Sequence, residues 1–186
     1  MLKKILFFLF VSGLCCPALA QDAWSDGQKS LDLGVNFLPH NYEYGELDGF
    51  NLPVTARLNI GKNDWLSFGP YAGFANYNYQ GFYGTFNWKI FTAGMQAKAH
   101  LIPLLYDAFD IDINDDKFDI YFLAGAGAEY WSLSSEEYRS VDGNFVDFNY
   151  TITGGIKYMF APKWGIYAEG GRSVYGAFNT GISKTF

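Results

Sequence analysis

Cysteine is almost missing from this 186-residue chain: there are two, Cys15 and Cys16, side by side within the first twenty residues. Beyond them no disulfide and no thiolate metal site can form. Basic residues are scarce as well. Thirteen Lys and Arg stand against 19 Asp and Glu, a net charge of −6, which excludes the broad basic face that a nucleic-acid partner requires. Histidine occurs only as His40 and His100. Long apolar runs are also lacking past the leader, and without about 20 consecutive apolar residues no helix spans a bilayer.

The leader itself is the one continuous apolar run. Lys3 and Lys4 precede Ile5–Leu14, and a small-residue "ALA" ends at Ala20 before Gln21. That three-part layout predicts a secretory signal over residues 1–20, cleaved between Ala20 and Gln21. Ser12, Gly13 and Leu14 fit poorly as the approach to a lipidated Cys15, so a lipid anchor is the weaker reading. Cleavage removes both lysines and no acid, taking 13 basic residues to 11 against 19 acidic ones, and the charge from −6 to −8.

What the chain does hold is aromatic residues, at 20%, and 21 glycines, where glycine ordinarily makes up about 7%. Hydrophobic residues reach 49%, yet mean hydropathy is only −0.03. The apolar content is parcelled into alternating segments. Eight are legible, at 30–37, 51–61, 65–76, 89–101, 118–131, 148–160, 164–174 and 177–186. In "FDIYFLAGAGAEYW", for instance, Phe118, Ile120, Phe122, Ala124, Ala126, Ala128 and Tyr130 share one face, opposite Asp119, Tyr121, Leu123, Gly125, Gly127 and Glu129. A period of two is the mark of strands. Pro70 weakens the third segment, because proline removes a ladder donor.

Connections after the first, third and fifth segments are long and rich in Tyr, Asn and acids, whereas "GKND" and "APK" are tight. Long loops on one side and short turns on the other are the habit of outer-membrane barrels. Two links depart from it. Residues 102–117 should be a short turn and are long, with Leu104, Leu105, Ala108 and Phe109 suggesting a helical cap on the lower mouth. Ser173–Gly176 should be a long loop and is very short.

The two faces decide between a soluble and a membrane barrel. A lipocalin-like barrel hides its apolar side chains and shows its charges. Here the second face carries small and polar residues, among them Gly34, Gly69, Gly73, Gly94, Gly125, Gly127, Gly155 and Gly181, which suit a narrow interior with room for modest side chains. Asp32, Arg57, Lys98, Asp119, Lys157 and Glu169 fall on that same face. A cation on the lipid face costs about 2–4 kcal/mol at mid-membrane, so these six are expected as a luminal charge network, with pairing left open. Trp65, Tyr77, Trp88, Tyr130, Tyr158 and Trp164 near segment ends would form interfacial girdles, with Trp131 beside Tyr130 near the outer interface. The expected fold is all-β: an eight-stranded antiparallel up-and-down transmembrane β-barrel over residues 29–186, after a short periplasmic segment at 21–28.

With the leader "ALA|Q", "DWLSFGPYAGF", "KFDIYFLAGAGAEYW", "PKWGIYAEGG" and a terminal Phe186, the chain resembles the small Gram-negative outer-membrane β-barrel family related to OmpA and OmpX. The resemblance covers residues 21–186 as a pattern, not as a catalytic motif. It implies residence in the outer membrane among lipopolysaccharide, with Phe186 as the terminal aromatic read by the barrel-assembly machinery. Lys184 stands where the family often has another aromatic. Some eight-stranded barrels deacylate lipid A through a His with a nearby Ser and acid. His40, with Glu43 and Glu46 near, would have to borrow Ser134 or Ser135, while His100 falls on the luminal face toward the periplasmic end and is expected as a hydrogen-bonding residue there. No catalytic, cofactor or metal site is therefore expected. The acids of "DIDINDDKFD" lack the glycine and terminal glutamate of a calcium loop. The expected role is structural, or a surface contact with a host or other ligand through the loops; the alternatives are a narrow OmpW-like conduit and a lipid A-modifying enzyme.

Overall fold

The computed structural model describes residues 27–37, 46–47, 52–81, 84–109, 117–135 and 143–186. Strands β1 (Lys29–Phe37), β2 (Glu46–Leu47), β3 (Val54–Asn63), β4 (Leu66–Gly81) and β5 (Gly84–His100) come first. Helix α1 (Leu101–Phe109) follows, then β6 (Phe118–Ser135), β7 (Gly143–Ala161), β8 (Trp164–Arg172) and β9 (Phe178–Thr185). Eight strands form the wall, every pairing between them antiparallel. The wall closes where β1 pairs with β9, Leu33 opposite Ile182 and Gly34 opposite Gly181. The two-residue β2 adds to the end of β4 outside the wall. Over the span where all eight strands pair, closure leaves no strand edge, which hydrocarbon demands because it cannot hydrogen-bond an exposed backbone.

The eight expected segments match the eight wall strands, but four strands run further. β4 to β7 span 16, 17, 18 and 19 residues, beyond the about 9–11 needed to cross a membrane. "NYNYQGFYGT", expected as a loop, is mostly paired strand: Tyr77 opposes Trp88, and Gly81 opposes Gly84. Part of "SLSSEEYRSVDGNF" is likewise paired, with Leu133 opposite Gly143. Polar residues looked like loop because they lie on strand lengths that stand in water. Pro70 sits inside β4, paired with Met95 of β5. On its other side the β3–β4 ladder skips from Arg57↔Tyr71 to Ile60↔Phe68, so the missing N–H costs the ladder locally without ending the strand.

Side chains alternate as the pattern requires. Leu33, Phe91, Met95, Phe122, Ile152, Ile156 and Ile182 are exposed on the outside, while Asp32, Arg57, Thr92, Gln96, Lys98, Thr151 and Lys157 are buried inside. The interior is not confined to modest side chains, however. Tyr71, Tyr121 and Tyr167 are buried in the lumen, each opposite a glycine of the next strand: Gly94, Gly155 and Gly181. A Cβ on Gly155 would lie 2.6 Å from the Tyr121 ring, and one on Gly127 would lie 2.8 Å from the Tyr71 hydroxyl. The glycines are small so that the tyrosines can lie across them. Rim aromatics pair on the outside as Phe37–Phe178 and Phe74–Phe91, at 6.2 and 4.8 Å between ring centres.

This packing sets a contrast between two adjacent glycines. Gly155→Val should lower the unfolding free energy by about 1–3 kcal/mol through overpacking. Gly154→Val, whose nearest neighbour would be Phe122 at 3.5 Å, should change it little. Urea titrations of the folded fraction, read as the migration difference between unboiled and boiled samples, measure both.

Candidate functional site: the stoppered lumen

Barrel closure brings together residues that are far apart in sequence. Arg57 on β3 donates through Nη1 to both carboxylate oxygens of Glu169 on β8, at 2.6 Å each. Tyr121 on β6 donates to the same carboxylate at 2.8 Å. The Lys98 ammonium lies 4.1 Å from the Tyr121 ring centre and donates to Asp32 at 2.9 Å. Asn59 also donates to Asp32, at 2.8 Å, and accepts from Gln96 at 2.8 Å. Asp119 takes His100 at 2.8 Å and Lys157 at 3.5 Å. Thus the six charges expected inside are all buried there, paired as Arg57–Glu169, Lys98–Asp32 and Lys157–Asp119. An ion pair out of water persists only with good geometry and further hydrogen bonds on its spare atoms. Tyr121, Asn59 and His100 supply such bonds to Glu169, Asp32 and Asp119, and Gln96 holds Asn59 in place.

His100 is the hydrogen-bonding residue expected on the luminal face; Tyr121, Asn59 and Gln96 carried no such signal in the sequence. A neutral side chain carries no pattern of its own; each lies at the right strand parity, but only register shows what it meets. Glu129 was also left out of the network. That carboxylate is buried higher in the lumen, accepting from Trp131 Nε1 at 3.1 Å and from Asn149 Nδ2.

Ser67, His100 and Asp119 follow one another as nucleophile, base and acid would. Ser67 Oγ is 3.1 Å from His100 Nε2, and His100 Nδ1 is 2.8 Å from Asp119. Ser67 has no accessible surface, so no substrate meets it and the three act as a hydrogen-bonded strut. His40, the signal-cleavage pair Ala20 and Gln21, and the acids Asp110, Asp112, Asp115 and Asp116 lie outside the described residues. Ser134 is at the exposed end of β6.

Above this belt the pattern inverts. Ala75, Ile90, Trp131 and Phe145 lie on one rung across β4 to β7, with Ala75 and Ile90 buried, Trp131 half-buried and Phe145 exposed at the outer end of the row; the next rung, of opposite parity, is Asn76, Lys89, Ser132 and Asn144. Apolar-out has become polar-out. Trp131, expected at the outer interface, instead packs inside the mouth with Tyr77, against the buried trio Ala75, Ile90 and Tyr175. It stacks on Phe145 at 5.5 Å and 7°, and meets Trp88 edge-on at 5.6 Å.

Tyr175 explains the anomalously short link between β8 and β9. Instead of rising as a loop, the link turns into the mouth. Gly171 bends the chain at φ 135°, and Ser173 N donates to Gly176 O at 3.0 Å. The Tyr175 ring then lies over Gly73, donating its hydroxyl to Thr92 Oγ1 at 2.9 Å. Burial pushes the Tyr175 phenol up, so it stays protonated and remains a donor. An aromatic seal and an ionic belt therefore stand in series.

At the opposite end of the wall, Phe186 N donates to Lys29 O at 2.9 Å. Lys184 faces outward, its ammonium 5.2 Å from both the Trp164 and the Phe186 rings. The cation thus completes an aromatic rim.

A family model described as outer membrane protein beta-barrel domain matches residues 6–184. Among solved structures, the N-terminal β-barrel domain of Pseudomonas aeruginosa OprF aligns over 87% of this chain and 99% of its own, with a TM-score of 0.53 and 11% identity. The attachment invasion locus protein Ail of Yersinia pestis aligns over the same shares at 0.44 and 15%. At such identities the likeness is one of fold. No curated protein matches.

The belt predicts a strong asymmetry between single and double replacements. Arg57→Met should cost about 3–5 kcal/mol by leaving the Glu169 carboxylate buried and uncompensated, whereas Arg57→Met with Glu169→Leu should recover most of that loss. Equilibrium unfolding followed by tryptophan fluorescence gives the comparison.

Proposed function

The chain belongs to the outer membrane protein beta-barrel domain family, and from that membership we propose a closed barrel of the outer membrane that works by surface contact and not by passage through its lumen. The observation that carries this reading is the double stopper: the hydrogen-bonded belt from Asp32 to Glu169, beneath the apolar seal of Ala75, Ile90 and Tyr175. A solute crossing the lumen would have to break buried ion pairs, and removing one partner of such a pair costs several kcal/mol. The narrow-conduit alternative requires exactly that disruption at each passage, so the closed reading is preferred.

The working surface is then the part of β4 to β7 that stands above the lipid. Strand extension holds Asn76, Asn78 and Asn87 in a fixed polar array, with Asn87 donating to Asn76 at 2.9 Å, and Trp88, Trp131 and Phe145 hold each other behind it. Side chains held in place lose less entropy on contact than those of a loose loop. Lipopolysaccharide surrounds the wall, the assembly machinery reads the Phe186 end, and a host or other surface ligand meets the ribbons. Hydrolysis of lipid A has no support from the buried Ser67–His100–Asp119 strut.

Planar-bilayer recordings test the reading. The intact protein should give no large steady conductance. Tyr175→Ala combined with Arg57→Ala and Glu169→Ala should open a measurable one, and Tyr175→Ala alone should not. Large steady conductance from the unmodified barrel would overturn it.

A further inference from the structure

Helix α1 has a surface that water cannot satisfy. Its sequence is LIPLLYDAF, so Leu101, Ile102, Pro103, Leu104, Leu105 and Tyr106 follow without a polar residue and distribute over every side of the helix at about 100° per residue. The lower-mouth cap expected from the sequence would bury most of them. Among these six only Ile102 is buried, at 3% exposure, while Leu101, Pro103, Leu104 and Leu105 are partly exposed and Tyr106 is 57% exposed. The helix packs on β6, whose outward residues Phe118, Ile120 and Phe122 belong to the exposed apolar wall. Its height is set as well. His100 N, one residue before the helix, donates to Trp65 O at 2.7 Å, and the exposed rings of Trp65 and Trp164 lie at the periplasmic ends of the wall strands, the depth at which tryptophan favours the membrane–water interface.

We propose that α1 is an interfacial anchor, seated in the periplasmic leaflet and continuing the lipid-facing wall beyond the end of β5. Leu104, Leu105 and Tyr106 give the helix an apolar side that the protein covers only in part, and an interfacial helix sinks its apolar side about 5–10 Å into the boundary between headgroups and acyl chains. Its partner is the phospholipid boundary itself: Leu104 and Leu105 enter the acyl region, and Tyr106 keeps its ring at the headgroups with its hydroxyl toward water. The strut of Ser67, His100 and Asp119 immediately before the helix fixes its starting point on the wall. The anchor holds the barrel at one depth from the periplasmic side, independently of any contact made by the extracellular ribbons.

The chain suits a direct test, because its only cysteines are Cys15 and Cys16. In a Cys15→Ser, Cys16→Ser background, Leu104→Cys, Leu105→Cys and Tyr106→Cys would each carry a nitroxide label. The full chain is folded into vesicles of phosphatidylethanolamine and phosphatidylglycerol, with Phe122→Cys as the lipid-facing reference and Lys62→Cys as the aqueous one. Retained heat-modifiable migration shows that each labelled barrel is folded. The anchor predicts oxygen accessibility at 104 and 105 close to that at 122, and shielding from a water-soluble nickel chelate at least several-fold greater than at 62. Chelate accessibility at 104 and 105 equal to that at 62 would overturn it. Exclusion of both oxygen and chelate would overturn it too, since a protein surface or the barrel mouth would then be the neighbour.

Discussion

Everything in this molecule depends on the seam between β1 and β9. Leu33 and Gly34 meet Ile182 and Gly181 there, the chain's first and last wall strands joined in register. Without that seam two strand edges would carry unpaired backbone groups into hydrocarbon, at a cost of several kcal/mol for each. With it the outer surface can be purely apolar, and polar side chains have a single place to go. Closure therefore creates the lumen, and the lumen in turn collects the charges.

Once collected, the charges must answer to one another. Arg57 and Glu169 are 112 residues apart in the chain and 2.6 Å apart in space; Lys98 and Asp32 are separated by 66. Each carboxylate of these pairs takes a further hydrogen bond from a neighbour: Glu169 from Tyr121, Asp32 from Asn59 and Asp119 from His100. Tyr121 serves twice, filling the width of the barrel above Gly155 and donating its hydroxyl to Glu169. Removal of a glycine, a tyrosine or a charge thus disturbs the same packed column from different sides.

The fold also accounts for its own departures from a uniform barrel. Where β4 to β7 leave the lipid, the apolar side of the strand turns inward, because the outside is water and the mouth must be sealed. Where the β8–β9 link is too short to project, it turns in and supplies Tyr175 to that seal. At the opposite end α1 follows directly on β5 and packs on β6, burying Ile102 and leaving Tyr106 exposed. Each departure follows from which solvent a segment meets.

By itself the sequence determined the number of wall strands, the two faces of each, and which six charges point inward. A period of two over eight segments is a local property, and side-chain parity follows from it directly. It misjudged the length of β4 to β7, the direction of Trp131 and the size of side chain the lumen accepts, since each depends on where the membrane ends and on which residue lies across the neighbouring strand. Pairing is not local: a shift of register by two residues keeps every face and changes every partner. Tertiary structure alone decided that Arg57 meets Glu169, that Tyr121 lies across Gly155, and that a five-residue link becomes a stopper, because those contacts exist only once the sheet has closed on itself.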